Sequence, residues 1–545
     1  MSRRFALGLD FGTSSVRALL VDIETGEEIA NDVFAYPTGE AGVIIDRTDP
    51  NLARQRPQDY IDGLQATVRK VCQGIDTTAI VGIGVDTTGS SPLPIDRHGE
   101  ALANLPQFQD NPAAQCWLWK DHTAHAEAQE ITDLARGKGL PYLAKCGGTY
   151  SSEWFWSKIL HCARTAPEVF AAADSWVECC DFVVGYLVGK RAGNVIPRSR
   201  CAAGHKAMFE ESWGGLPSAE FLGALHSGLA NLRGRLYSKV QRSDQRAGEL
   251  TPDVAQTLGL PPGIPVAVGA FDAHLGAVAS GVGPGVLVKI IGTSTCDCMV
   301  HPLSQPLPDI PGLCGIVRES ILPDQYGLEA GQSAVGDIFQ WFSDLVSKSH
   351  DELTNEAAKL KPGESGLVAL DWNNGNRTVL VDPRLTGLVV GQTLQTKPGE
   401  IYRALIEATG FGALTIINRL EEYGIEVREI ANCGGISDRS PLVMQIYADI
   451  CNRSIKVPKS RQACALGSAI VGAVAGGAFP SVAEAQQSMV AFRDTVFHPN
   501  PAAVRVYAEL YKVYLALHDA FGKPQAVDLS QVMKDLIRIR EANRI

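Results

Sequence analysis

The sequence predicts an α/β protein made of two related domains that face one another. Three features carry that expectation. A small hydroxyl-rich turn, Gly12, Thr13, Ser14 and Ser15, stands between two apolar runs in "GLDFGTSSVRALLVD". The same device returns in "VLVKIIGTSTCDCMV", 280 positions later when counted from Gly12 to Gly292. Between the copies, the breaker-rich passage "LGLPPGIPVAVGAFD" offers a domain boundary. A chain of 545 residues, 45% hydrophobic and 20% charged, is too long for one ordinary core and has the composition of a folded globular protein.

The elements follow from local pattern. "FALGLD", "VRALLVD" and "EEIANDVFAY" are short extended runs separated by tight turns, which predicts an antiparallel meander rather than a βαβ unit. "PQDYIDGLQATVRKVCQ" has helical spacing, and "AIVGIGVDTTGSS" reads as a buried strand entering a polar loop. From about 110 to 235, aromatic-rich helical segments alternate with Gly/Pro loops. After the boundary the order restarts with helix "AHLGAVASG", the second hairpin, and then "GLEAGQSAVGDIFQWFSDLV". Later, "REIANCGGISDRSPLVMQIYADIC" reads as strand, glycine turn and helix. Residues 501–545 read as a helical tail without chemistry of its own.

Charge and cysteine usage exclude several classes. Sixty acidic against 49 basic side chains give a formal charge of -11, and no Lys/Arg block stands out. That argues against nucleic acid or an anionic membrane as partner. "MSRRFALGLD" reaches an Asp before a signal-peptide core forms, and "ALGSAIVGAVAGGAF" is too short and glycine-rich to span a bilayer, so the expected location is cytoplasmic. The 13 Cys are scattered without a two-pair zinc spacing and read as buried reduced thiols.

The chemistry begins with the two turns. Amide groups in a tight turn converge on an anion, Gly permits close approach, and Ser/Thr hydroxyls add donors, which suits phosphate. Neither a G-x-x-x-x-G-K-[ST] segment nor a strand-G-x-G-x-x-G-helix unit is present, so a Walker or Rossmann site is disfavoured. An ATP site made of hairpin turns and the glycine corner "CGGISDR" fits what remains. Asp10 ends the first strand, where it reads either as a turn cap or as a carboxylate holding hydrated Mg2+. Asp272 stands where a strand meets a helix, either as N-cap or as the base that accepts a hydroxyl proton. Phosphoryl transfer demands positioning more than a strong base, so even an Asp kept ionised by a helix N-terminus could serve there.

Taken in order, "LGLDFGTSSVRALLVD", "GAFDAHLGA", "IIGTST", "GLEAGQSAVGDIFQW" and "CGGISDRSPLVMQIYADI" resemble the FGGY family of carbohydrate kinases. The resemblance runs from residue 5 to about 480. It implies two ribonuclease-H-like domains of the actin/hexokinase superfamily with an interdomain cleft. The division expected is 1–264 for the sugar-binding domain with the first phosphate turn, 265–500 for the domain with the base, second turn and adenosine site, and 501–545 for the tail.

Residue by residue, the resemblance makes Asp272 the catalytic base and Asp10 a magnesium carboxylate acting through water. Gly12, Thr13, Ser14, Ser15, Gly292, Thr293, Gly336, Gln340, Gly434, Gly435 and Arg439 become ATP contacts, although many sugar kinases carry Asn where Arg439 stands. Gly89, Lys206, Asp272 and Glu329 become the sugar site. Without the resemblance, Lys206 in "AAGHKAMF" reads as a solvated lysine on a loop. Glu329 lies in apolar, glycine-rich surroundings where an unpaired carboxylate would be costly and a polyol ligand could satisfy it, and Trp117, Trp119, Trp154 and Trp156 read as either core or a sugar wall.

Within the family, "VDTTGSSPLPID", "LWKDHTA", "RCAAGHKAMF" and "ESWGGLP" look most like members that phosphorylate L-ribulose to L-ribulose 5-phosphate with Mg-ATP, a step of L-arabinose catabolism. Xylulose-specific members usually carry an Arg shortly after Trp-x-Asp, where this chain has His122 and Thr123. The competing expectations are a family kinase for D-ribulose, xylulose or ribitol, and a non-catalytic ATP-binding protein on the same superfold. A homodimer is the assembly considered.

Overall fold

The computed structural model describes residues 3–524, 529, 530 and 534. The C-terminal part of the predicted tail, 525–528, 531–533 and 535–545, lies outside the described residues.

The predicted meander forms as Phe5–Phe11, Ser15–Asp22 and Glu28–Ala35, paired antiparallel in chain order. On its other side Ile80–Thr87 pairs parallel with Phe5–Phe11, followed by Pro265–Ala267 and Arg246–Glu249. Ala270–Phe271 also pairs with Ile80–Thr87, so the first sheet draws on strands beyond residue 264. Pro57–Val71 covers one face of this sheet as the expected amphipathic helix, with Pro57 in its first turn, where a missing N–H costs nothing.

The second sheet repeats the plan. Val286–Ile291 and Thr295–Pro302 form the second hairpin, Gln325–Ala330 adds antiparallel, and Glu429–Cys433 then Ile455–Pro458 add parallel on the other side. Thus each turn joins the two central antiparallel strands of its own sheet. Mixed sheets of this order put the ends of neighbouring parallel strands side by side, where ligands of α/β proteins bind.

The apolar segment too short for a membrane becomes the helix Ala463–Ala475. It belongs to the second half of the chain yet packs on Phe5–Phe11 and Ile80–Thr87 of the first sheet and on the helix Asp272–Ala279. The approach is backbone to backbone. A methyl group on Gly8, Gly82 or Gly84 would overlap the carbonyls of Ala465, Gly472 or Ser468. Among the described residues, no helix is long and apolar enough to cross a membrane.

The aromatic middle of the chain builds a separate core from helices His125–Gly137, Phe155–Thr165 and Ala219–Leu225. Trp117 and Trp156 are fully buried there, which settles their reading as core. The tail helix Pro501–Gly522 lies against the second domain's core. Its Tyr507 hydroxyl donates to Glu407 at 2.9 Å, and its Tyr514 hydroxyl to Asp371 at 2.9 Å.

Candidate functional site

Strand register alone assembles three carboxyl groups. Asp10 stands opposite Asp86 in the parallel pair, Asp86 stands opposite Ala270 in the next, and Asp272 follows two residues later. All three therefore sit at the carboxyl ends of adjacent strands. Arg17, the antiparallel neighbour of Asp10, donates to its Oδ2 at 2.8 Å. That side-chain partner replaces the turn-cap alternative. Asp86 had no role in the sequence reading. Ser468, from the helix laid across the sheet, donates to Asp86 Oδ2 at 2.6 Å, while Asp86 Oδ1 is buried and unpartnered among the described residues.

Crowding these acids in a buried place raises all three. Burial dominates at Asp10, offset in part by Arg17. Burial and then Asp10 push Asp86 well up. Asp272 rises to about 7 through burial and then Asp10. At Asp272 desolvation therefore outweighs the helix N-terminus. Asp272 is also not the cap. Phe271 occupies that position and Asp272 is the first helical residue, its Oδ1 accepting the Ala273 N–H at 2.6 Å, with part of its surface open. The orphaned Asp86 oxygen and the hard oxygen donors of Asp10 and Asp86 fit a hydrated divalent cation such as Mg2+.

The two glycine turns are held in the same way by different means. The Gly12 amide donates to Ser15 O at 2.9 Å, closing the first hairpin. Gln55 Nε2 then donates to the carbonyls of Gly12 and Thr13 at 3.3 and 2.7 Å, and Trp119 Nε1 donates to Thr13 Oγ1 at 3.0 Å. In the second turn Gly292 N donates to Ser294 O at 2.9 Å. Its carbonyls are taken by amides at the start of the helix Gly336–Val346: Gly336 to Gly292 O at 3.1 Å, and Val335 and Asp337 to Thr293 O at 2.8 and 3.2 Å. Both turns thus have their carbonyls occupied from behind, which leaves amide groups as the polar face each can offer an anion.

The remaining nucleotide candidates lie along the second turn. Gly336 presses so close that a methyl group there would overlap Gly292 O. Gln340 is one helical turn away and exposed. Its Nε2 donates to Asp344 at 2.8 Å, and its Oε1 faces His350 Nε2 at 3.1 Å. Gly434 has φ +98° and backs onto the carbonyl of Ile291, the residue before the turn, so only glycine adopts that corner. Gly435 faces open space, and Arg439 is exposed at the end of the short helix Gly435–Arg439.

The sugar candidates converge from both halves. Lys206 is not on a loop: it ends the helix Arg200–Lys206 and is buried. Tyr150 OH donates to its carbonyl at 2.6 Å, and its ammonium lies 5.2 Å from the Trp154 ring centre. Its Nζ donates to Glu329 Oε1 at 2.8 Å. Glu329 is thus paired within the protein, which meets the cost of its apolar surroundings. Burial alone would lower Lys206 and raise Glu329, but each holds the other charged, so Lys206 is raised and Glu329 lowered. Behind Glu329 stand His205 and His274, which the sequence reading did not select. Burial lowers both, His274 to about 4.

Gly89 sits where a side chain would run into the Phe271 ring, one residue before Asp272. Its loop is fastened from below. Glu178 accepts from the Ser90 hydroxyl and from the Ser91 N–H, the latter at 2.7 Å, and Lys158 Nζ donates to Ser90 O at 2.8 Å. In the "LWKDHTA" segment Asp121 pairs with buried Arg54, accepts the Ala53 N–H at 2.8 Å, and takes the Thr123 hydroxyl at 2.6 Å.

Residues 5–279 match the N-terminal domain model of the FGGY family of carbohydrate kinases, and residues 287–476 the C-terminal one. A protein named ribulokinase from Shouchella clausii is 42% identical, with 99% of this chain and 98% of that one covered. Another of that name from Vibrio parahaemolyticus is 41% identical over 98% and 99%. Among solved structures, a kinase from Brucella ovis described as a xyloylose kinase has TM-score 0.80 at 20% identity, covering 95% of this chain and 99% of its own. Plasmodium falciparum glycerol kinase with ADP has 0.77 at 15%, covering 94% and 98%. These structures establish the actin/hexokinase-like fold. Two family models that between them take in most of the chain, together with relatives near 40% identity over nearly its whole length, place it in the FGGY family of carbohydrate kinases.

Proposed function

We propose that this chain transfers the γ-phosphoryl group of ATP to the primary 5-hydroxyl of L-ribulose, giving L-ribulose 5-phosphate and ADP. The observation that carries the reading is the placement of Asp272 beside Asp10 and Asp86 on one side and within electrostatic reach of the Lys206–Glu329 pair on the other. Phosphoryl transfer asks for positioning and charge neutralisation more than for strong bases. Asp272, raised to about 7, takes the hydroxyl proton as the oxygen attacks. Lys206, Glu329 and the Gly89 backbone orient the sugar. The turns at Gly12–Ser15 and Gly292–Thr293 hold the phosphates, with Gly336, Gln340, Gly434, Gly435 and Arg439 along the nucleotide. Mg2+, when bound near Asp10 through water, supplies neutralisation of the phosphate charge.

The choice of ribulose is supported by the relatives named ribulokinase and by His122 and Thr123 after Trp-x-Asp. The test is ADP release with Mg-ATP and, in parallel, L-ribulose, D-ribulose, D-xylulose, ribitol and glycerol. Preference for L-ribulose is expected. Preference for D-xylulose or ribitol moves the substrate and keeps the chemistry, whereas ATP consumption that no sugar stimulates overturns the kinase reading.

A further inference from the structure

Glu329 uses its two oxygens differently. Oε1 receives the Lys206 ammonium at 2.8 Å. Oε2 is buried and without a hydrogen-bond partner among the described residues, although His205 Nδ1 faces it at 3.4 Å and His274 Nε2 at 3.5 Å. The other nitrogen of His205, Nε2, lies 3.0 Å from Ser320 Oγ, whose hydroxyl also reaches the Val317 carbonyl at 3.2 Å. That leaves Nδ1 buried without a hydrogen-bond partner among the described residues and aimed at the carboxylate. Unpartnered polar atoms gathered in a buried place are costly unless something joins them, and a cation between them does so. His274 adds to the demand, since both its ring nitrogens are buried and unpartnered among the described residues.

We propose that His205, His274 and Glu329 bind one divalent transition-metal ion of the class typified by Zn2+. One ligand atom from each residue lies within 4.8 Å of the other two. The 3.4 and 3.5 Å separations approach the edge of about 3.3 Å set by tetrahedral bonds of ~2.0–2.1 Å. Two imidazoles and one carboxylate are a zinc donor set, unlike the all-oxygen set at Asp10 and Asp86. Ser320 supplies the outer hydrogen bond that fixes a ligating imidazole. The Lys206 ammonium on the same carboxylate opposes the ion and makes the site weaker than a closed structural zinc site. Occupancy takes the oxygen that the sugar site needs, so the metal inhibits by competing with sugar. That competition rests on the sugar reading of Glu329, while the metal binding does not.

The experiment is a titration of the full chain with Co2+ under anaerobic conditions, without ATP or sugar, followed by displacement with Zn2+. One equivalent is expected to give the visible absorption of a tetrahedral nitrogen/oxygen site without thiolate-to-cobalt charge transfer. His274→Asn and His205→Gln are each expected to weaken it about tenfold or more, with melting curves showing that they fold. No visible band in the parent protein, a thiolate band, or unchanged binding in the folded variants overturns the proposal. Zinc-edge X-ray absorption on the parent protein decides the matter should the variants unfold: two imidazoles and no sulfur are expected, and sulfur ligation overturns it. L-ribulose added to the cobalt form is expected to raise the apparent Kd for Co2+. Cobalt bound at these residues but indifferent to sugar upholds the site and removes Glu329 from the sugar reading.

Discussion

Lys206 and Glu329 lie 123 residues apart in the chain and meet at 2.8 Å with both side chains nearly sealed from water. Their bond ties the helix Arg200–Lys206 to the strand Gln325–Ala330, so one charge pair belongs both to the joint between the halves and to the proposed sugar site.

Breaking that pair from one side leaves a buried charge uncompensated. Glu329→Gln or Lys206→Met is expected to cost about 3–5 kcal/mol of stability and to raise KM for the sugar sharply. The double variant Lys206→Met/Glu329→Leu is expected to recover much of the stability and none of the sugar response. Calorimetric melting and sugar-dependent ADP release check the two halves of this expectation.

Asp272→Asn keeps the shape of the side chain and its bond to the Ala273 amide while removing the proton acceptor. Turnover is expected to fall by about two to four orders of magnitude with the fold intact. Near-normal turnover in the folded variant rejects Asp272 as the base.

Gln55 fastens the first turn from behind through two carbonyls and is itself held by the Tyr60 hydroxyl at 2.8 Å. Gln55→Leu leaves those carbonyls without that donor, a loss on the order of 1–3 kcal/mol where buried. The expected signature is a raised KM for ATP with KM for sugar unchanged, read from initial rates with each substrate varied in turn.

Glu178 is raised to about 7 by burial, against the opposing pull of Ser90, Lys158 and the Ser91 amide and with Asp181 adding to the rise. Its folded form therefore holds a proton that the unfolded chain releases near 4.5. Stability from this group is full below 4.5 and declines as pH rises towards 7. Denaturation midpoints across that window are expected to fall with pH in the parent protein and to fall less in Glu178→Gln.

Tyr514→Phe removes the tail hydroxyl from buried Asp371. It is expected to destabilise by about 1–3 kcal/mol and to leave sugar turnover unchanged, because the tail helix touches the core of the second domain rather than the turns. Urea titration and the ADP assay separate the two effects.

The parts of this architecture legible in the sequence are those written in local pattern. Alternation gave the meander, and a repeated Gly-Thr-Ser turn gave the paired hairpins. What escaped was written in register and long-range contact. Asp86 looks like any strand-end acid until Phe5–Phe11 and Ile80–Thr87 align and Ser468 arrives from 382 residues away. Gln55 is the last residue of the three-residue strand Ala53–Gln55, with one residue between it and a helix and nothing to mark it. Local pattern alone reads Lys206 as a solvated loop residue because its helix is only seven residues long and its partner is remote. His205 and His274 likewise acquire meaning only around Glu329.

The glycine-floored seat of the helix Ala463–Ala475 sets how this chain comes apart. Its backbone rests directly on Gly8, Gly82 and Gly84, so the first sheet is finished only when residues near the far end of the chain have been made. A fragment ending near residue 284 would carry every strand of that sheet and still expose an apolar floor shaped for a missing rod. Expressed alone, such a fragment is expected to aggregate, and to be rescued by supplying the second half in trans; the two halves are one cooperative object threaded through itself, not two bodies joined by a tether.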